Sequence, residues 1–345
     1  MTLQSNQLST LNESIVHLLN DNVKFHPTNK VMLIHDQDSP IAITLTTAFA
    51  EVITTYQQHE IIEFNPENTT SLKQTLTRLN KGDLVILIQT SNFRISEYRI
   101  RLECNNIGVF VLEFHHLDLI KSDQEQTFLN SLIYDLPRYN AITQKITPLI
   151  NNSLKISIIC EDQSTMVYTG PFDKVYYNIG EIHNTLGSLF PIGEFFTEPL
   201  ELKNVNGTFQ VYAFPSLEHE TIIATPFHVH IKDGAIVSHT GPERFEQIIQ
   251  LIKQENVNEQ VPIREMGFGL NRFIGKQHPL GYVGSHERQR GFHVSIGLKH
   301  GIYRKKVPTS INQRYHIDMF INVQQIIVET PQETITIFEN GEYIS

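Results

Sequence analysis

Three continuous apolar runs, residues 31–34, 84–88 and 109–112, leave the first third of this chain few ways to fold. Each is too short for a helix, and none alternates polar with apolar, so each reads as a strand buried on both faces. A fourth candidate strand covers residues 61–64, and patterns of helical period at 41–53, 71–79 and 95–102 fall between the strands. Buried strands that alternate with amphipathic helices predict an open α/β domain with a mostly parallel sheet. No G-x-G-x-x-G or G-x-x-x-x-G-K-S/T follows any of these strands, which argues against nucleotide binding.

The pattern changes after a helical stretch at about 124–150. Residues 154–159, 208–214 and 227–231 are strand-like, and Asp233-Gly234 marks a hairpin turn before another strand at 235–238. Residues 242–254 form one amphipathic helix, with Phe245, Ile248, Ile249 and Ile252 on a single face. Two more strand pairs end the chain, the last closed by Asn340-Gly341. The reading is therefore an α/β fold in two parts. Residues 1–153 form the open α/β domain, and 154–345 form a mixed, β-rich α+β domain.

Composition narrows the functional classes. In 345 residues, 40% hydrophobic and 19% charged, the balance is globular, and a formal charge of −10 argues against a broad nucleic-acid footprint. Cys104 and Cys160 are the only cysteines, which points to a reducing compartment and away from cysteine-ligated zinc. No stretch approaches the length that spans a bilayer, and the first residues carry no basic or apolar leader pattern. The expectation is a cytoplasmic protein without nucleic-acid or membrane partners.

Chemistry concentrates in the second part. His316 and Asp318 are two residues apart in Tyr-His-Ile-Asp-Met-Phe, so on a strand they share a face and present an imidazole beside a carboxylate. Nitrogen and oxygen donors of this kind suit a divalent transition metal. Glu194 follows Gly193, Glu265 precedes Gly267 and Gly269, and His293 lies in Gly-Phe-His-Val-Ser-Ile-Gly. Glycine allows close backbone approach, which can aim such side chains inward. Taken singly, a strand histidine is more often a hydrogen-bonded structural residue than a ligand. The case rests on the ensemble. His228 and His230 also share a strand face, but a solvated hairpin explains them more simply. His115 and His116 are adjacent and would point to opposite faces if extended. His286 and Glu287 lie in a polar loop before His293, where the sequence does not decide their role.

These motifs, Gly-Glu-Phe-Phe-Thr-Glu-Pro, Glu-Met-Gly-Phe-Gly-Leu-Asn, Gly-Phe-His-Val-Ser-Ile-Gly and His-Ile-Asp, occur in an order that resembles the aminopeptidase T and aminopeptidase S family of metallo-aminopeptidases. The resemblance covers roughly residues 170–330. It implies that Glu194, Glu265, His293, His316 and Asp318 bind two divalent ions, zinc, cobalt or manganese. Such ions polarise a scissile carbonyl and acidify water, and Glu265 or Glu287 would take the proton. It further implies a short peptide or related small molecule as substrate, and a homodimer or higher oligomer. His300 stands where that family has a catalytic tyrosine, with Tyr303 close by in sequence. The chain also resembles the dihydroxypyridine ring-opening dioxygenases in length and in its closing His-x-Asp. There two histidines and an aspartate hold one Fe(II), whereas Glu265 here replaces the first histidine. Three expectations follow: a metal-dependent hydrolase first, an Fe(II) dioxygenase acting on a small aromatic or heterocyclic substrate second, and a non-catalytic binding protein third.

Overall fold

The computed structural model describes residues 5–93, 95, 98–133, 135–256, 258–299 and 314–344. It divides into two compact units, Met1–Asp135 with Gly180–Ile192, and Leu136–Ile179 with Gly193–Ser345. The first unit holds a five-stranded sheet in the order β2 (His59–Glu63), β1 (Val31–His35), β3 (Leu84–Ile88), β4 (Phe110–Phe114) and β8 (Gly187–Leu189). Every pairing in it is parallel. β1, apolar up to His35, and the wholly apolar β3 are buried along their length, while β2 alternates and lies at the edge. The helix Pro40–Ile53 shows how local sequence sets a start. Ser39 caps it through its hydroxyl on the Ala42 amide, Pro40 opens the first turn, and Ile41, Leu45, Ala48, Phe49 and Val52 form the buried face.

β1 and β3 meet where the strand order reverses, the usual ligand crevice of such sheets. Here Asp36 accepts hydrogen bonds from the Thr90 amide (2.8 Å) and hydroxyl, and no glycine-rich turn is present. The helix expected at 95–102 begins later, at Ile100–Asn106. Arg99 is extended, and Ile100 and Cys104, one turn apart, supply the buried face.

In the second unit thirteen strands form one antiparallel sheet. Its path runs β18 (Glu342–Tyr343), β17 (Thr334–Glu339), β16 (Val323–Glu329), β5 (Lys155–Cys160), β6 (Thr165–Thr169), β10 (Val205–Pro215), β15 (His316–Ile321), β14 (Gly291–Gly297), β13 (Ile263–Gly269), β9 (Glu194–Thr197) and β7 (Tyr176–Asn178). β11 (Thr221–Lys232) and β12 (Ala235–His239) branch from β10. Two helices pack into its core. Leu136–Asn151 contributes Tyr139, Ile142, Ile146 and Ile150, which is why this helix belongs with the second unit although a cut at residue 153 would assign it to the first. Glu243–Glu255 contributes Phe245, Ile248, Ile249 and Ile252, the face its periodicity predicts. Phe195 and Phe268 stack at 4.7 Å and Phe268 meets Phe292 at 5.2 Å, tying β9, β13 and β14 together from within.

The hairpin at Asp233-Gly234 has both residues at positive φ, 52° and 75°. A Cβ on Gly234 would lie 2.1 Å from the Leu202 carbonyl oxygen. Gly234→Ala is therefore expected to cost more than the roughly 1–2 kcal/mol that a left-handed residue costs by itself. Urea unfolding is the measurement, and an unchanged midpoint would contradict this account of the turn.

Candidate metal centre

Adjacent strands carry the candidate ligands in register. On β14 and β15, His293 faces Phe320, Ser295 faces Asp318 and Gly297 faces His316. On β13 and β14, Gly267 faces His293. Small residues thus lie opposite the larger donors, which leaves space above the sheet. The β13 ladder shifts register between Ile263 and Met266, the stretch that holds Glu265, and irregularities of this kind re-aim side chains. The Glu265 amide donates to Ser295 Oγ at 2.9 Å, so Glu265, Ser295 and Asp318 lie together.

The donor atoms of Glu265, His316 and Asp318 all fall within 4.8 Å of one another. His316 Nε2 is 3.6 Å from Asp318 Oδ1, and His293 Nε2 is 3.7 Å from Glu265 Oε1. Glu194, on β9, is held by the guanidinium of Arg288, which also reaches Glu287 at 2.9 Å. Glu265, His293 and Asp318 are buried, while the Glu287 and His316 side chains retain 22% and 23% exposure and mark the solvent side. His300 and Tyr303 lie outside the described residues.

Two glycines make this packing possible. A Cβ on Gly267 would come 1.9 Å from His293 Nε2, so the imidazole lies directly over the β13 backbone. A Cβ on Gly269 would come 1.9 Å from the Gln289 carbonyl oxygen, so the segment carrying Glu287 and Arg288 also lies against that strand.

The other histidines have different partners. His228 Nε2 contacts Asp162 at 2.5 Å and His230 Nδ1 contacts Thr208 at 2.8 Å, away from the triad. His116 has φ 54° and so is not extended, and its ring meets that of His115 edge to face at 5.1 Å within the first unit. His286 is fully buried, and its Nε2 lies 3.1 Å from the Tyr212 hydroxyl. Burial, with His293 nearby, pushes its pKa down to about 3, so it is neutral.

Electrostatics tests whether the donor set suits a cation. Glu194, Glu265, Glu287 and Asp318 crowd one pocket, and the permanently charged Arg288 is in contact with two of them, Glu194 and Glu287. Burial raises the Glu287 carboxyl well above the usual range, with Asp318 adding to the effect. Burial alone would raise Asp318, yet His316 and His293 hold it well below its ordinary value. Burial would lower both histidines, but the carboxylates outweigh it. Asp318 and Glu265 carry His316 up to about 10, and Glu265, Asp318 and Glu194 carry His293 up to about 9. Without a metal the pocket takes up protons as its counter-charge. Among the described residues, Glu265 Oε2, Asp318 Oδ1 and His293 Nδ1 are buried with no hydrogen-bond partner, a costly arrangement unless something else satisfies them. His316 Nδ1 lies 2.8 Å from the Leu298 carbonyl oxygen, the tether by which a metal-binding histidine is usually oriented. The residues fit a divalent cation.

Sequence reading singled out all five proposed ligands and Glu287 but missed Arg288 and Tyr212. Arg288 sat in view, in the run of polar residues between Gly284 and Gly291, but nothing in a linear sequence shows which member of that run turns inward. Tyr212 lies on a strand of ordinary pattern and gave no signal.

No protein-family model matches the chain, and no curated protein does. Solved structures do. The 2,5-dihydroxypyridine dioxygenase from Pseudomonas putida KT2440 superposes with a TM-score of 0.64 and 14% identity, over 98% of each chain. Wild-type AmpT from Thermus thermophilus, an aminopeptidase, superposes with a TM-score of 0.64 and 11% identity, over 98% of this chain and 99% of that one. At these identities the likeness establishes a shared fold.

Two outcomes test the site. Because His293 and His316 titrate higher folded than the ordinary histidine value of 6.5, their contribution to stability is complete below about pH 6.5. It is lost as pH rises through about 9 to 10. Chelator-treated protein should therefore lose stability over that window, and metal-loaded protein should lose less; identical profiles would contradict the assignment. Gly267→Ala should displace His293 and weaken cation binding at least about tenfold, while Gly275→Ala, with nothing within 4 Å of its Cβ, should not. Isothermal titration with Mn²⁺ or Zn²⁺ reads both, and equal affinities would refute the role given to Gly267.

Proposed function

We propose that the chain is a metal-dependent hydrolase acting on a short peptide or a related amide. One observation carries the reading: among the described residues, ligand atoms of Glu265, His316 and Asp318 converge, and Glu265 Oε2 and Asp318 Oδ1 are buried without a hydrogen bond. Glu265, His316 and Asp318 would hold the ion, with His293 and Glu194 beside them. A bound divalent cation supplies Lewis acidity, which polarises a carbonyl and brings the pKa of water toward neutrality.

The chain's own residues supply the rest. Glu287 sits at the solvent side next to Asp318, and its raised pKa suits a group that passes a proton between substrate and solvent. Phe320 packs against His286 at 4.6 Å and His293 at 5.9 Å, an apolar wall that keeps the imidazoles in place. The fold shared with an aminopeptidase is consistent with this reading.

A second reading has its own support. Among the described residues one triad converges, and the fold is shared with a 2,5-dihydroxypyridine dioxygenase, which supports a mononuclear Fe(II) oxygenase of a small aromatic substrate, with Glu265 standing where the two-histidine facial set has its other imidazole. Protein loaded with iron under anaerobic conditions would then consume oxygen with such a substrate, and the hydrolase would not.

His316→Ala is expected to lower metal-dependent hydrolysis of a dipeptide panel by on the order of 10²-fold or more. His228→Ala should leave activity within about twofold, since exposed substitutions away from a site are nearly neutral. Equal losses in the two variants would show that the wrong cluster had been chosen.

A further inference from the structure

Arg288 is the group in this site that the ligand motifs do not explain. Its side chain is 5% exposed, and its guanidinium contacts Glu194 and, at 2.9 Å, Glu287. The backbone that delivers it is anchored. The Arg288 carbonyl accepts the Asn271 amide at 2.9 Å, and a Cβ on Gly269 would lie 3.0 Å from the Arg288 carbonyl carbon. Guanidinium stays charged at any working pH, and its planar fork suits carboxylate partners.

Geometry limits what else the pocket can take. Among the described residues the donors that converge are Glu265, His316 and Asp318, and Glu194 lies outside that group with its carboxylate on the Arg288 guanidinium. A cation bound at Glu194 would sit against that fixed guanidinium charge, and like charges buried together are expensive. Glu198, the next buried carboxylate on that segment, has Lys299 at 3.6 Å and Arg264 at 3.7 Å.

We propose that the site holds one divalent cation, on Glu265, His316 and Asp318, and that the Arg288 guanidinium neutralises Glu194 in place of a second ion. This rests on the metal reading above and departs from the two-ion site that the aminopeptidase resemblance implies. Arg288 acts as a positioning residue: it holds Glu194 and Glu287 and keeps the pocket to a single ion. With no second ion to bind a substrate's amino end, recognition of that end falls to side chains.

The test is to count ions on the full-length protein. The chain is incubated with excess Mn²⁺, and separately with Zn²⁺, desalted, and analysed by inductively coupled plasma mass spectrometry. One ion per chain is expected, two for Arg288→Gln, and one for Arg288→Lys, which keeps the charge. Two ions on the unsubstituted chain would overturn this inference and leave the metal-dependent reading standing. No ion on it would overturn both. One ion on folded Arg288→Gln would overturn the role given to Arg288. Should that variant not fold, Glu194→Gln serves instead: it keeps its single ion if Glu194 is no ligand, and its loss would overturn the proposal.

Discussion

Negative charge buried above the neighbouring strands β9, β13, β14 and β15 is the constraint on which the site depends. Carboxylates from β9, β13 and β15 and from the segment before β14 meet in a space closed to water on most sides. Arg288 offsets part of that charge. The remainder draws protons onto His293 and His316, which would otherwise be neutral when buried. A pocket whose carboxylates raise the pKa of two buried histidines favours positive charge within it. A cation on the triad would let His316 act as a neutral ligand and satisfy carboxylate oxygens that have no hydrogen bond among the described residues.

The fold maintains this arrangement at the level of backbone geometry. Register alone sets His316, Asp318, Ser295 and His293 on neighbouring positions of β14 and β15, and the irregular stretch of β13 brings in Glu265. Gly267 and Gly269, two apart on β13, allow an imidazole and a loop backbone to lie where side chains would otherwise stand. The rings of Phe195 and Phe268, stacked, and of Phe292, edge-on to Phe268, hold the same strands from within the core. Truncating a ring of this kind costs about 3–5 kcal/mol, so the strands do not readily spread to relieve the charge above them.

Much of this was legible in the sequence, for identifiable reasons. Wholly apolar runs marked β1 and β3 because burial on both faces removes alternation. The i, i+2 spacing of His316 and Asp318 placed them on one face because strand geometry admits no alternative. Asp233-Gly234 and Asn340-Gly341 marked turns because both residues of each pair take positive φ. What the sequence withheld depends on long-range contacts. The helix Leu136–Asn151 looks like a connector until Ile142, Ile146 and Ile150 are seen in the second core. His115 and His116 seemed to diverge because the left-handed backbone of His116 has no marker in its residue type. Arg288 is one of several polar residues in a row, and only its contacts with Glu194 and Glu287 show that it enters the pocket.

Anomalous X-ray scattering from crystals grown with Zn²⁺ or Mn²⁺ addresses the central claim most directly. The account requires a strong peak within about 2.0–2.2 Å of donor atoms from Glu265, His316 and Asp318. A pocket that excludes the ion, with those carboxylates satisfied by water or by one another, would contradict it.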